Sequence, residues 1–222
     1  ADIRIDGAGK KVTRSDNCRV SDLSVSSDNL TFTYEAKSLP YPIDTSYYDN
    51  EKHTQADALS VIPFMDEMNY EGLSVSGLLD GYYGLTIGGE FIGRFTAREL
   101  ERGINMALLQ NTPQYKQAMK IRQMNEERWL KERKMREFYW VEYNLMRKTG
   151  MLWACNEAAV DTLRKYRPHD IFLQWNGALW LQYMHKGIRE DCVNEQQDLV
   201  NQIYEQNKPI PLRIEIKKFT DL

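Results

Sequence analysis

Residues 73–109 constrain the fold of this chain more than any other stretch, because strand, turn, helix start and helix stop follow one another there. Tyr82–Ile87 is rich in aromatic and β-branched residues, Gly88-Gly89 follows, and residues 90–95 resume the same character. Two such runs around a Gly-Gly pair predict a hairpin, since both central residues of the tightest turn need positive φ. A two-residue loop sets Ile87 opposite Glu90, Leu85 opposite Ile92 and Tyr83 opposite Arg94. Tyr82, Phe91 and Phe95 then fall on the other face. Thr96-Ala97-Arg98-Glu99 reads as a capping box, in which Thr96 accepts from the amide of Glu99 and Glu99 reaches back to the amide of Thr96. Gly103 suits a left-handed helix end. Upstream, Leu73-Ser74-Val75-Ser76 alternates as a third strand does.

The rest of the chain extends this pattern. Asp2-Ile3-Arg4-Ile5-Asp6 predicts an edge or entry strand within residues 1–12. The chain begins inside that strand, with no turn or cap before it, which predicts a piece of a longer product. A second strand is expected at residues 18–25, and Leu30, Phe32 and Tyr34 alternate with threonines in a third. Period two places the three large side chains on one face, so that sheet is covered on one side. Leu39-Pro40-Tyr41-Pro42 breaks any ladder, because proline has no amide to donate and restricts the residue before it. Residues 43–70 read as irregular, with a short helix around 57–65 limited by Pro63.

From Asn111 the composition changes. Thr112 is a good N-cap with Pro113 at the first helical position, and a continuous helix is expected to about Lys148. Its middle is charged, with Glu127 to Lys131 and Glu132 to Arg136 in the favourable i, i+4 order. Phe138, Val141 and Leu145 give its last part a broad apolar face. Further helices are expected from Trp153 to Tyr166 and from Asp170 to Gln206, the latter broken at Gly177 or Gly187. Leu212, Ile214 and Ile216 alternate as a closing strand. The expected fold class is α+β. Small antiparallel, β-sandwich-like sheets in the N-terminal half are rejoined by a C-terminal strand, with a long-helix helical region between. The expected divisions are residues 1–110, mainly β with short helices; 111–208, helical; and 209–222, the closing strand.

Composition narrows the function. With 222 residues the chain buries a core without disulfide staples. Its three cysteines, Cys18, Cys155 and Cys192, are widely spaced and odd in number; they read as three buried thiols, with one disulfide as the alternative. No Cys/His pattern has metal-ligand spacing, so no metal and no cofactor is expected. A net charge of −3 argues against a general nucleic-acid or anionic-membrane partner. No apolar run approaches the ~20 residues needed to span a bilayer, and no signal-peptide pattern is visible at Ala1.

No catalytic constellation stands out. There is no Gly-x-Ser-x-Gly elbow, and none of His53, His169 and His185 follows an aspartate by three residues. Each histidine has an ordinary reading as a surface or capping residue; for His169 a helix start capped by Asp170 accounts for the pair. The acidic pairs Asp66-Glu67 and Glu126-Glu127 diverge in direction and read as solvated faces. The basic run from Arg128 to Arg136 is interleaved with Glu132 and reads as a salt-bridged face. Around Trp175-Asn176-Gly177-Ala178-Leu179-Trp180 the helical spacing of Trp175, Leu179 and Tyr183 favours core over a sugar-stacking surface.

The order of features carries more than any single one. Asn17 to Val25, the alternating strand ending in Leu39-Pro40-Tyr41-Pro42, and Leu73-Ser74-Val75-Ser76-Gly77-Leu78 come first. The hairpin from Tyr83 to Gly89, Thr96-Ala97-Arg98-Glu99-Leu100, Gly103-Ile104-Asn105 and Thr112-Pro113 follow. The series resembles the C-terminal half of bacterial secreted SGNH/GDSL-type hydrolases. In that family the serine, glycine, asparagine and Asp-x-x-His blocks precede these features. This chain holds none of them, so no catalytic residue is carried over. The resemblance implies the accessory region of an esterase-like hydrolase acting on acylated carbohydrate. Its partner is then an N-terminal SGNH catalytic domain of the same precursor, its location periplasmic or extracellular, and the chain alone inactive. The alternative is a freestanding, non-catalytic carbohydrate- or protein-binding module, for which Tyr82, Tyr83, Trp175 and Trp180 are the carbohydrate-contact candidates. A scaffold dimerising through the long helix is a third reading; broken apolar periodicity between Lys120 and Arg136 argues against a sustained coiled coil.

Overall fold

The computed structural model describes residues 1–46 and 52–219; residues 47–51, within the stretch expected to be irregular, lie outside the described residues. The chain divides into two units. One comprises Ala1–Arg122 and Gln206–Leu222, the other Gln123–Glu205.

The first unit holds two sheets. One has the order β2 (Lys11–Asp16), β1 (Asp2–Asp6), β5 (Gly72–Ser76), β8 (Ile104–Asn105). Of the expected edge or entry strand, the edge reading fails: Asp2–Asp6 is an interior strand. It pairs β2 antiparallel and β5 parallel, with Ile3 opposite Leu73 and Ile5 opposite Val75. The parallel pair departs from an all-antiparallel arrangement. It forms because the chain crosses to the other sheet before returning as β5, and a parallel neighbour needs such a crossover. The charged β2 takes the edge, where exposed Lys11, Arg14 and Asp16 discourage further pairing.

The second sheet has the order β3 (Cys18–Val25), β4 (Asn29–Ala36), β9 (Leu212–Lys218), β6 (Tyr82–Ile87), β7 (Glu90–Thr96). Every pair in it is antiparallel. The closing strand is therefore its centre. Ile214 lies between Phe32 and Ile87, and Ile216 between Leu30 and Leu85. All six side chains are buried, and with Ile3, Ile5, Leu73 and Val75 they form one core. Each contributes about 1.5–3 kcal/mol by leaving water.

The hairpin turn forms at Gly88 (φ 59°) and Gly89 (φ 86°), with Ile87 opposite Glu90 as expected. The register then shifts, so that Leu85 faces Gly93 and Tyr83 faces Phe95. Ile92 is the extra residue of a β-bulge. The expected Leu85–Ile92 and Tyr83–Arg94 pairs do not form, and Phe95 joins the core side instead of the Tyr82 side. The capping box of α2 (Ala97–Arg102) forms as read. Thr96 Oγ1 accepts from the Glu99 amide at 3.1 Å, and Glu99 accepts from the Thr96 amide at 2.7 Å. A cap of this kind contributes about 0.5–2 kcal/mol. Between the sheets in sequence, the expected short helix is split by Pro63 into a 3₁₀ turn at Gln55–Ser60 and α1 at Phe64–Glu67.

Helix α3 (Pro113–Val141) passes from the first unit into the second. Thr112 Oγ1 accepts from the Tyr115 amide at 3.3 Å, as its N-cap reading requires. The helix does not continue regularly to Lys148; a π turn at Glu142–Met146 replaces its last part. The remaining helices are α4 (Glu157–Tyr166), α5 (Ile171–Tyr183) and α6 (Lys186–Gln206). The fourth starts later than Trp153 because Asn156 supplies the cap, accepting from the Ala159 amide at 3.0 Å. The break between α5 and α6 falls at Met184 and His185 rather than at Gly177. Gly177 instead admits a close neighbour: a Cβ there would lie 3.3 Å from Arg167 Cδ. The core of this unit joins Phe138, Val141 and Met146 to Leu163, Leu173, Trp180 and Cys192. Lys131 reaches Glu195 at 2.7 Å across α3 and α6, besides its expected Glu127 partner at 3.7 Å. Among the described residues, no helix is long and apolar enough to cross a membrane.

Candidate functional site

The four aromatic candidates fare differently. Tyr83 is 2% exposed and Trp180 is 0% exposed, so neither ring has a face to offer a sugar. Alternation along β6 turns Tyr83 inward with Leu85 and Ile87, and Trp180 lies on the core side of α5. Tyr82 is exposed, but the Arg94 guanidinium covers its ring at 3.9 Å in a cation–π contact. Trp175 is 66% exposed, against the core position that its spacing with Leu179 and Tyr183 implied; of the three, Tyr183 is buried. Trp175 ends an aromatic string in which Trp140 meets Phe172 at 5.3 Å and Phe172 meets Trp175 at 5.5 Å. Beside that string is a cleft of about 390 Å³ lined by Trp140, Asn144, Tyr166, His169 and Asp170, among others. Asp170 caps α5 from there, accepting from the Phe172 amide at 2.8 Å.

Two buried carboxylates escaped the sequence reading. Glu71 is 5% exposed in the first unit. Its side chain accepts from the Tyr34 hydroxyl at 2.7 Å and from Gln114 Nε2 at 3.2 Å. Asn105 holds the backbone beside it, its Oδ1 accepting from the Glu71 amide at 2.9 Å. Burial pushes the Glu71 carboxyl above its usual range, and the two donors offset only part of that shift. Burial likewise pushes the Tyr34 phenol up. The neighbouring Gln114 Oε1 is buried without a hydrogen-bond partner. A narrow polar cleft of about 80 Å³ reaches Glu71, Tyr34, Asn69 and Ala1.

Glu142 is the second, 1% exposed in the π turn of the helical unit. It accepts from Trp180 Nε1 at 2.7 Å and from the Trp153 amide at 2.8 Å. Trp153 is held at φ 62°, a strained conformation for a bulky residue. Its indole meets Tyr139 and Tyr143 edge-on, at 6.0 and 5.9 Å. No local sequence signal marks either glutamate, because the donors to the carboxylates lie 37 and 43 residues away for Glu71 and 11 and 38 residues away for Glu142.

The cysteines also differ from expectation. All three are free thiols; Cys192 is buried, Cys18 is half-buried and Cys155 is exposed. Cys155 Sγ lies 3.3 Å from His185 Nδ1, a pair joined across 30 residues of sequence.

The fold and these centres can be set beside known proteins. Residues 119–208 match the family model described as the diltiazem deacetylase C-terminal helical domain. The chain superposes on a gut microbial diltiazem-metabolizing enzyme with a TM-score of 0.91 and 34% sequence identity, over 99% of this chain and 50% of that one. Its likeness is to half of an enzyme. The chain thus spans about half the length of the protein it matches, and the matched helical segment relates it to the C-terminal region of a hydrolase. None of the curated proteins matches it.

Proposed function

We propose that this chain is the C-terminal accessory region of an SGNH/GDSL-type, esterase-like hydrolase acting on acylated carbohydrate. Catalysis is supplied by an N-terminal SGNH domain of the same precursor, in the periplasm or outside the cell. The observation that carries this reading is the superposition at 34% identity on only half of a diltiazem-metabolizing enzyme. The helical segment's likeness to a deacetylase C-terminal domain points the same way. The buried glutamates fit a supporting role, since the Glu71 carboxylate is taken up by the Tyr34 hydroxyl and Gln114 Nε2 and that of Glu142 by the Trp153 amide and Trp180 Nε1. The expected result is that the 222-residue chain hydrolyses p-nitrophenyl acetate no faster than a mock preparation. A polypeptide that also carries the serine and Asp-x-x-His blocks hydrolyses it readily. Turnover that co-purifies with the chain alone overturns the proposal, and so does a coding sequence that lacks those blocks upstream.

One observation favours a second reading, a non-catalytic carbohydrate-binding module. Trp175 presents an open indole at the end of the Trp140–Phe172–Trp175 string, and indoles stack on the apolar faces of sugars. Titration of tryptophan fluorescence with oligosaccharides separates the readings. A flat titration together with a blank glycan array removes the second.

A further inference from the structure

We propose that Cys155 and His185 form a thiol–disulfide exchange site, at which Cys155 is reversibly modified by a low-molecular-weight disulfide. A nucleophilic sulfur needs a base within hydrogen-bond reach and an open approach. Both are present, since Cys155 is exposed and its Sγ lies 3.3 Å from His185 Nδ1. The helices around the pair add to this. Cys155 directly precedes Asn156, the N-cap of α4, and His185 precedes α6, its carbonyl accepting from the Arg189 amide at 3.4 Å. The sulfur is thus grouped with the starts of a 10-residue and a 21-residue helix. The positive ends of helix dipoles favour negative charge as it develops on an attacking atom.

The other two thiols lack this setting. Cys192 is 4% exposed and donates toward the Lys131 carbonyl at 3.7 Å. Cys18 is half-buried, and its sulfur contacts Ser15 Oγ at 3.5 Å. Approach to the pair is open, because Cys155 and His185 are both exposed.

The chemistry balances without another reactant. The Cys155 proton passes to His185 Nδ1 as Sγ attacks one sulfur of the small disulfide. A new S–S bond forms at Cys155 and the old one breaks. The departing sulfur leaves as a thiolate and takes the proton back from the imidazolium. Cys155 is oxidised to a mixed disulfide, and one half of the incoming disulfide is reduced to a thiol. Excess thiol runs the step backward.

Glutathione disulfide tests the proposal on the folded 222-residue chain. Intact-mass and peptide-mass spectra are expected to show one glutathionyl adduct, located on Cys155 and removed by dithiothreitol. Cys155→Ser abolishes it and Cys18→Ser leaves it unchanged. His185→Gln, checked for native circular dichroism, slows it about tenfold or more, as loss of a positioned base does. Dithionitrobenzoate gives a second reading of the same rates. Modification of Cys18 as fast as of Cys155 overturns the proposal. An unchanged rate in a natively folded His185→Gln chain overturns it as well.

Discussion

Replacing Trp180 by alanine is expected to destabilise the helical unit by about 3–5 kcal/mol from lost packing alone. Trp180 is the largest fully buried side chain, and it sits in a core with Phe138, Val141 and Leu163. The damage does not stop at the cavity. Glu142 loses the indole donor at 2.7 Å, which leaves its buried side chain held by the Trp153 amide at 2.8 Å. Leaving a buried acceptor without its donor adds about 1–3 kcal/mol. Trp180→Phe reduces the packing loss, since it keeps a six-membered ring in the core while removing the N–H and the remainder of the indole. Urea denaturation followed by helical circular dichroism should therefore rank the chains native, Phe, Ala in falling stability. If the phenylalanine variant matches the native chain, the Glu142 bond contributes nothing. Trp153 offers a local readout, because its strained backbone is tied to Glu142. The Phe variant should change the near-ultraviolet signal of the Tyr139–Tyr143–Trp153 cluster even where the global fold persists.

Glu71 governs the second large effect, a dependence of stability on pH. Burial raises its carboxyl in the folded state above the ordinary value of about 4.3. The folded chain therefore binds a proton more tightly than the unfolded one. The stabilisation from that proton is fully present below the unfolded value and is lost as pH rises through the folded value. Across that window one differential proton corresponds to a loss of up to about 1.4 kcal/mol per pH unit. Glu71→Gln removes the titration while keeping both neighbours. Its carbonyl can accept from Tyr34, and its amide can donate to Gln114 Oε1, which now has no partner. The stability of the variant relative to the native chain should thus rise with pH, as read from urea midpoints across a pH series. Parallel curves for the two proteins refute the assignment. Tyr34→Phe provides the complement, because loss of its 2.7 Å bond should cost about 1.5–3 kcal/mol where Glu71 is charged and less where it is protonated.

The α+β class was legible wherever a local signal sufficed. Gly88-Gly89, the Thr96–Glu99 capping box and the Thr112-Pro113 helix start each depend on neighbours within a few residues, and each forms. The bulge at Ile92 was not legible, because isoleucine looks the same in a regular ladder and in an interrupted one. Nor could alternation in Asp2–Asp6 distinguish an edge from an interior strand, or a parallel neighbour from an antiparallel one. The site-level misses have one cause. Tyr34 and Gln114 meet Glu71, Trp180 meets Glu142 and His185 meets Cys155 only through tertiary packing. Spacing on a helix placed Tyr183 correctly inside, but it could not show that the core ends before Trp175.

The central place of β9 has a consequence for how the protein is made. Until residues 212–218 leave the ribosome, β4 and β6 have no neighbour between them, and the apolar rows Leu30–Phe32 and Leu85–Ile87 lack Ile214 and Ile216. Every residue of the helical unit is translated during that interval. The helices, rich in local contacts, can therefore fold first, while the earlier strands wait with open edges for a partner of high sequence separation. Exposed edges of that kind are where misassembly begins. Newly made chains should accordingly depend most on chaperones in the interval before the last strand is complete.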